Sequence, residues 1–491
     1  MLCVVIKGPS FQEAHQQISE ALAYADLVEL RLDCFEILDL AALKRLRSAF
    51  SLPMIFTLRS QMQGGNYTQS EETRLANIRL IATLKPEYLD LESHITLQFI
   101  HEISSQYPDI RLILSYHNFS ETPEDLEGLY QKMQTRPAFF YKIVVTAQNS
   151  LDAMRFMCWA KKTDNKLIAI SMGSHGQVSR ILGPIIGCPI TYSALEENQI
   201  TAPGQLSAKM LIERYHHHSL NSRTAIYGLI GDPVSQSISD ETHNNLIACL
   251  GLDAVYVKIQ ISASELPEFL QFAKQLPFHG ISITMPLKEH IIPFLDRINA
   301  EAYDIGAVNT LVFENDKVFG FNTDGIGALD ALEQQCRVKG KHIVIVGAGG
   351  AAKAIAYEAI RREGIVTIVN RDPEKALQIA RSLGCIGKGL ESMAECVDVG
   401  YDILINCTPV SEPISFDHIL SEAIVMDITT KPKETVFLKH AVEKGCRVIY
   451  GYQMFVEQAA CQFNLWFKDR IDIQESRKML AEMSLASVAL C

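Results

Sequence analysis

The chain has 491 residues and a formal net charge of −12, which is enough length for two to four domains and offers no global basic field for a nucleic-acid backbone. Its 48% hydrophobic and 21% charged composition excludes disordered, collagenous and coiled-coil chains. The twelve cysteines stand singly, without CxxC pairs or Cys/His clusters, and read as reduced intracellular thiols with no metal site among them.

The opening MLCVVIKGPSF has no basic leader and reads as a first strand rather than a signal peptide. No apolar run is long enough to span a bilayer. The expectation is a cytoplasmic protein, or a plastid one if a leader has been removed, with no membrane or nucleic-acid partner. Eight β-rich runs then follow: LCVVIK from Leu2, LVELRLD from Leu27, MIFTLR from Met54, YLDLE from Tyr88, RLILSYH from Arg111, FYKIVV from Phe140, KLIAIS from Lys166 and PITYSAL from Pro189. Most are separated by enough chain for one helix, as in EETRLANIRLIATL, so they predict a parallel sheet covered on both faces. Eight such units fit a (β/α)8 TIM barrel over residues 1–215. The alternative is an open doubly wound sheet.

Barrel chemistry gathers at the C-terminal ends of the strands. That singles out Glu29 and Arg31 on the second strand, Arg59 on the third, Glu92 on the fourth, His117 on the fifth, Lys142 on the sixth and Arg180 just after the seventh. A lysine inside FYKIVV is costly in a dry core. Either it pairs with a carboxylate, Glu29 or Glu92, or it attacks a carbonyl as the free amine. A nearby imidazole for proton transfer and three guanidinium groups for a carboxylate favour the second reading.

The polar stretch ERYHHHSLNSRT (213–224) lacks apolar anchors, and residues 216–224 are expected as a solvated linker. Three adjacent histidines cannot easily face one ion. AIYGLIG then opens a second βα series, with strands at VYVKI and GISITM, giving a domain over 225–335. From Lys341 the chain reads strand, glycine turn, helix and second strand, a nucleotide-binding domain over 336–450. Gly347, Gly349 and Gly350 stand between the strand and a helix of small residues, where backbone N–H groups aim at a pyrophosphate, and Ala352 replaces the last glycine of the usual fingerprint.

The second strand ends in Asn370, Arg371 and Asp372. Arg371 there favours the 2′-phosphate of NADP, and Asp372 is the contrary sign. Residues 451–491 read as helices returning toward the 225–335 domain, with Phe455, Phe463 and Trp466 as helix packing. Lys288 and Asp324 each follow a turn-rich segment and are expected to meet over the cleft. The alternative is an ordinary surface pair.

ELRLD (29–33), FTLRS (56–60), SYHNF (115–119), YKIVV, SMGSHGQVSR (171–180) and TAPGQ (201–205) resemble the type I 3-dehydroquinate dehydratases. The resemblance implies that Lys142 forms an imine with the C3 ketone of 3-dehydroquinate and that His117 moves the C2 proton. It also implies that Arg180 clamps the carboxylate, and that Glu29, Arg31, Arg59, Thr201 and Gln205 bind the substrate. Departures are Gln63 where the family has glutamate, Asn118 where it often has an acid, and Thr201 where it has serine.

GDPVSQSIS (231–239), GISITMPLKE (280–289), IGAVNTL (305–311), GFNTDGIG (320–327), GAGGAA (347–352), NCT (406–408) and GYQMFVEQA (451–459) resemble shikimate dehydrogenase. That implies a two-domain α/β dehydrogenase with a Rossmann-like NADP domain. Lys288 and Asp324 are then catalytic, and Ser237, Ser239, Thr284, Asn309 and Gln458 bind substrate. Gly347, Ala348, Gly349, Gly350, Ala351, Asn370, Arg371, Thr408 and Gly451 bind NADP(H). Ser282 stands where asparagine is commoner and Thr430 where tyrosine is usual. Together the halves resemble the fused dehydratase–dehydrogenases of the shikimate pathway, which turn 3-dehydroquinate into shikimate without a metal. The alternatives are a quinate-oxidising fusion that prefers NAD, a catalytically inactive metabolite-binding half, and a Schiff-base aldolase barrel.

Overall fold

In the computed structural model, residues 1–196 and 202–489 are described. The chain divides into two compact units, Met1–Thr224 with Glu268–Pro277, and Ala225–Pro267 with Phe278–Cys491.

The first unit carries eight parallel strands: β1 Leu2–Ile6, β2 Leu27–Arg31, β3 Met54–Thr57, β4 Tyr88–Glu92, β5 Arg111–His117, β6 Phe140–Thr146, β7 Leu167–Met172 and β8 Thr191–Ala194. Their order is β7-β6-β5-β4-β3-β2-β1-β8. Every sequential pair and the β1–β8 closure is laddered except β7 with β8, so the sheet is a nearly closed (β/α)8 barrel and not the open alternative. Several of the intervening helices start at a side-chain cap that takes their free N–H groups: Ser10, Asp39, Ser70, Thr96, Asp125 and Asn149 each accept from the first turn.

Side chains two residues apart share a strand face, and the inward face changes character along the barrel. Cys3, Leu27, Ile55, Tyr88, Ile113, Phe140, Ile168 and Ile190 form an apolar floor. The next inward layer holds Glu29, Thr57, Asp90, Ser115, Lys142 and Tyr192, all buried. Polar chemistry thus begins in mid-barrel, one layer above the floor.

The stretch after the barrel is not the solvated segment its polarity predicts. Tyr215, His217 and Leu220 are buried, and His217 lies in a short 3-10 turn, His217–Ser219. Burial pushes the His217 imidazole down to about 4. The aromatic and leucine side chains supply the anchors that charge counting overlooks.

The second unit has two sheets. The first contains β9 Ala225–Gly231, β10 Ala254–Gln260, β11 Phe278–Ile283, β12 Arg297–Ile298, β13 Thr310–Glu314 and β14 Lys317–Phe321, ordered β10-β9-β11-β13-β14-β12. The second contains β15 His342–Val346, β16 Ile365–Asn370, β17 Ile386–Gly389, β18 Ile403–Asn406, β19 Ile424–Asp427 and β20 Arg447–Ile449. All its pairs are parallel, in the order β17-β16-β15-β18-β19-β20. Counted within the sheet this is the doubly wound order, with its reversal between β15 and β18, where a dinucleotide binds.

The helices Gly451–Phe467 and Ile473–Ala489 follow β20 in sequence but pack on the first sheet. Phe463, Trp466, Phe467 and Leu480 share a core with Tyr227, Leu229, Leu246 and Tyr256. The aromatic residues therefore pack as their helical spacing predicts, and the Trp466 ring N–H donates to the Leu311 carbonyl at 3.0 Å.

Candidate active sites

In the barrel, the Lys142 ammonium is 4% exposed and lies 3.3 Å from Asp90 Oδ2 and 3.6 Å from Glu29 Oε1. It also stands 3.9 Å above the centre of the Tyr192 ring. Arg59 grips the other oxygen of Asp90 at 2.9 Å and donates to Ser115 Oγ at 2.6 Å. Burial works against the charge on Asp90, but Arg59 and Lys142 outweigh it and hold its carboxyl below the ordinary range. Of the two carboxylates offered as the lysine's partner, Glu29 or Glu92, it is Glu29 that faces it. Glu92 is turned instead to Arg74, at 3.2 Å, and to Ser60.

His117 ends β5 with its ring against Phe119, centroids 5.9 Å apart. Its Nδ1 is buried without a partner among the described residues. Burial, reinforced by Arg59, Lys142 and Arg31, pushes the imidazole well below its ordinary value, so it is a neutral base at pH 7. Its main-chain N–H donates to Gln63 Oε1 at 2.9 Å. The departure from glutamate at position 63 therefore keeps a hydrogen-bond acceptor.

Arg180 sits in the short helix Gln177–Ile181 and donates to the Tyr192 carbonyl at 3.1 Å. It has no carboxylate partner among the described residues, and its Nε is unpaired. Burial brings it down to about 10, still charged at neutral pH. A buried guanidinium with spare donors suits an anionic ligand, and the hydroxyl of Tyr192, whose carbonyl Arg180 holds, is also unpaired among the described residues. Arg31 is committed to Asp33 through two bonds, at 3.0 and 2.8 Å. Gln205 is buried, and Thr201 lies outside the described residues.

Sequence reasoning missed Asp90 and Tyr192. Both share strand parity with residues it chose or saw, Asp90 with Glu92 and Tyr192 with the floor residue Ile190, so the period-two face held the signal.

In the second unit, Lys288 Nζ and Asp324 Oδ2 are 2.5 Å apart. Asp324 Oδ1 accepts from Asn309 Nδ2 at 2.8 Å, and Asn309 is itself held by Thr310 and Thr323. The Ser237 and Ser239 hydroxyls are 2.9 Å apart. Lys258 donates to the Ser237 carbonyl at 3.1 Å, a cation behind the serines that the sequence did not single out. Thr284 is fixed by its N–H to the Ile230 carbonyl. Gln458 Oε1 accepts from Thr323 at 3.5 Å, tying the returning helix to the same cluster.

Four residues along that helix, Gln462 donates to the Asn309 carbonyl and to Thr310 and accepts from Ser282. Ser282 in turn accepts from the Tyr256 hydroxyl at 2.9 Å. The serine where asparagine is commoner is thus one link in a buried chain that ends at Asp324.

The residues at the sheet reversal suit a dinucleotide. Gly347 follows β15 at φ +118°, where a side chain would meet Thr408 and the Cys407 carbonyl. A Cβ at Gly349 would meet nothing within 4 Å, so there is open space before the helix Gly350–Arg361 and its free N–H groups. A Cβ on Gly350 would touch Lys288 Cβ at 3.1 Å, which sets this turn, with Ala348 and Ala351, beside the Lys288–Asp324 pair. Thr408 is pinned to Asn406 through its N–H and hydroxyl, and Gly451 opens the returning helix. Beyond β16, Asn370 donates to the Asp372 carbonyl, while Arg371 is exposed with no carboxylate partner among the described residues.

Three family models match in order: Type I 3-dehydroquinase over residues 2–222, the shikimate dehydrogenase substrate binding domain over 229–311, and Shikimate / quinate 5-dehydrogenase over 330–439. The shikimate biosynthesis protein AroDE of Chlamydia pneumoniae is 39% identical over 96% of both chains. The bifunctional 3-dehydroquinate dehydratase/shikimate dehydrogenase, chloroplastic, of Arabidopsis thaliana is 33% identical over 95% of this chain and 82% of its own. The chain belongs to the bifunctional 3-dehydroquinate dehydratase/shikimate dehydrogenase family. Its dehydrogenase half is also similar to a shikimate dehydrogenase solved in complex with NADP+, with 36% identity, 55% of this chain and 97% of the other covered, and a TM-score of 0.50. No helix among the described residues is long and apolar enough to cross a membrane.

Proposed function

We infer that the chain performs two consecutive shikimate-pathway steps: its barrel dehydrates 3-dehydroquinate to 3-dehydroshikimate, and its second unit reduces that ketone to shikimate with NADPH. The observation that carries the first step is a buried lysine between two carboxylates, in a barrel that also holds a neutral histidine and an uncompensated arginine. Family membership over nearly the whole chain supports both steps.

In the first reaction Lys142 Nζ, as the free amine, adds to the C3 ketone, and water leaves to give the iminium. Neutral His117 removes the C2 proton, and the electron pair flows into the iminium to form the enamine. The enamine then expels the C1 oxygen, which departs as water with the proton returned by His117. Hydrolysis of the regenerated iminium frees Lys142 and 3-dehydroshikimate. Arg180 binds the substrate carboxylate through its spare donors, and Glu29, Arg31, Arg59, Thr201 and Gln205 order the ring and the site.

In the second reaction Lys288 gives a proton to the C3 oxygen as that carbon is reduced, and Asp324 orients the ammonium. Ser237 and Ser239 take the carboxylate, and Thr284, Asn309 and Gln458 take the ring hydroxyls. NADPH, when bound, supplies the hydride. The turn Gly347–Ala351, Asn370, Arg371, Thr408 and Gly451 hold it. We take residues 1–215 as the barrel, 225–335 as the substrate domain, 336–450 as the NADP domain and 451–491 as the returning helices. We place its action in the cytoplasm or, as the chloroplast designation of the Arabidopsis relative supports, in a plastid.

Arg371 is free to pair with the 2′-phosphate. Arg371→Gln is expected to weaken NADPH binding about tenfold, one lost charge-assisted contact, and to leave NADH binding unaltered. Fluorescence titration of both nucleotides checks this, and equal losses for the two would remove Arg371 from the phosphate. The whole reading is tested by incubating the chain with 3-dehydroquinate and NADPH. Shikimate with matching NADP+ is expected. Accumulated 3-dehydroshikimate would refute the second step, and intact 3-dehydroquinate the first.

A further inference from the structure

We propose that Arg74, on the helix Glu71–Ala82 and outside the groups expected to touch substrate, is a positioning residue for the dehydratase reaction. With Glu92 it clamps the chain on either side of Arg59. The inference rests on the imine reading above and extends it.

Arg74 is 1% exposed, and burying a guanidinium is costly unless its N–H groups are well used. Here they are divided between the chain just past β3, its partner Glu92, and Glu71 on Arg74's own helix. Nη1 donates to the Leu58 carbonyl at 3.0 Å, Nε and Nη2 form a fork on Glu71 at 2.7 Å each, and Nη2 lies 3.2 Å from Glu92 Oε2. Glu92, equally buried, receives the Ser60 N–H at 2.7 Å and the Ser60 hydroxyl at 2.8 Å. The N–H of Arg59 itself donates to Asp33 at 3.2 Å.

Position explains why such a clamp is needed. β3 ends at Thr57, paired with Asp90, and residues 58–60 run past the sheet ladder. Part of their main chain is held by charged side chains, the Leu58 carbonyl by Arg74, the Arg59 N–H by Asp33 and the Ser60 N–H by Glu92, while the Arg59 and Ser60 carbonyls accept from Tyr67 and Gly65 in the loop that follows. Arg59 carries that fixed direction inward to Asp90 at 2.9 Å, and Asp90 faces the Lys142 amine at 3.3 Å. The aim of the nucleophile's counterion thus depends on a backbone that, past the end of β3, is held in part by these charged side chains. Reaction rates fall steeply with sub-ångström misplacement of such groups.

The experiment uses the full chain, whose dehydrogenase half reports the concentration of intact protein. Arg74→Met and Glu92→Gln are compared with wild type in dehydratase kcat and KM. The fraction of chain trapped by borohydride at saturating 3-dehydroquinate, and the single-turnover rate of that trapping, are measured alongside. The expected result is full trapping at saturation, with imine formation and kcat per trapped site lowered by about tenfold to a hundredfold. Arg74→Lys should restore part of the rate, and reduction of 3-dehydroshikimate should be unchanged.

A purely structural role would lower the trapped fraction and leave kcat per trapped site at the wild-type value. That outcome, or no effect, overturns the proposal. If Arg74→Met leaves no competent barrel, Glu92→Gln, which keeps shape and removes only charge, decides by the same criterion. A wild-type chain that traps no substrate would sink the imine reading and the clamp with it. Normal trapping with unaltered variants would sink the clamp alone.

Discussion

A Lys142→Arg chain is expected to lose dehydratase turnover by at least about 10⁴-fold, the scale seen when a covalent nucleophile is removed, while reducing added 3-dehydroshikimate at the wild-type rate. Arginine is the informative substitution because Asp90 and Glu29 lie 3.3 and 3.6 Å from the amine. Deleting the cation would leave buried carboxylates uncompensated, and that cost would mix folding with chemistry. A guanidinium keeps the charge and cannot serve as an amine nucleophile. Wild-type protein reduced with borohydride in the presence of 3-dehydroquinate should gain the mass of the reduced adduct, and the variant should not. Turnover close to wild type in Lys142→Arg would remove the imine from the mechanism. The pH profile has a defined sign as well. His117 acts as the neutral ring, and its folded pKa is pushed below the ordinary 6.5, so the rate loss from its protonation falls below pH 6.5.

Lys288→Met is expected to lower the dehydrogenase kcat by about 10² to 10⁴-fold, the usual worth of a positioned proton donor, and Asp324→Asn by less. In both variants the barrel continues to work, so 3-dehydroquinate is converted and 3-dehydroshikimate accumulates. The order of the two effects follows from contact. Lys288 meets the reacting oxygen in this mechanism, whereas Asp324 acts by holding the ammonium with one oxygen and Asn309 with the other. NADPH titration should give unaltered affinity in both, which separates proton transfer from cofactor loss. A Lys288→Met chain with wild-type kcat would return the pair to ordinary ion pairing.

Much of this was legible in the sequence because it breaks local rules. A lysine and a histidine in apolar strands, a glycine turn between strand and helix, and an arginine after a strand end are conspicuous against the pattern around them. Asp90 was not, because attention to strand termini selected Glu92, and the layer that meets Lys142 lies in mid-strand. The position also shows why Glu29 and not Glu92 meets the lysine: Glu92 is beyond the lysine's layer and serves Ser60 and Arg74 instead. Gln462 was illegible for another reason. It sits in a run whose helical spacing already explains it, and its value comes from Ser282, Asn309 and Thr310, which are far away in sequence. The polar neighbours of His217 predict a solvated segment, whereas Tyr215 and Leu220 draw it inward.

The returning helix also sets an order of maturation during synthesis. Every strand of the barrel is translated before the first residue of the second unit, so the dehydratase sheet can begin to assemble early. The second site cannot, because Asn309 depends on Gln462, and Leu311 on Trp466, residues translated after all six strands of the nucleotide sheet. A nascent chain therefore passes through an interval in which all the barrel's strands exist and the second site lacks its last residues.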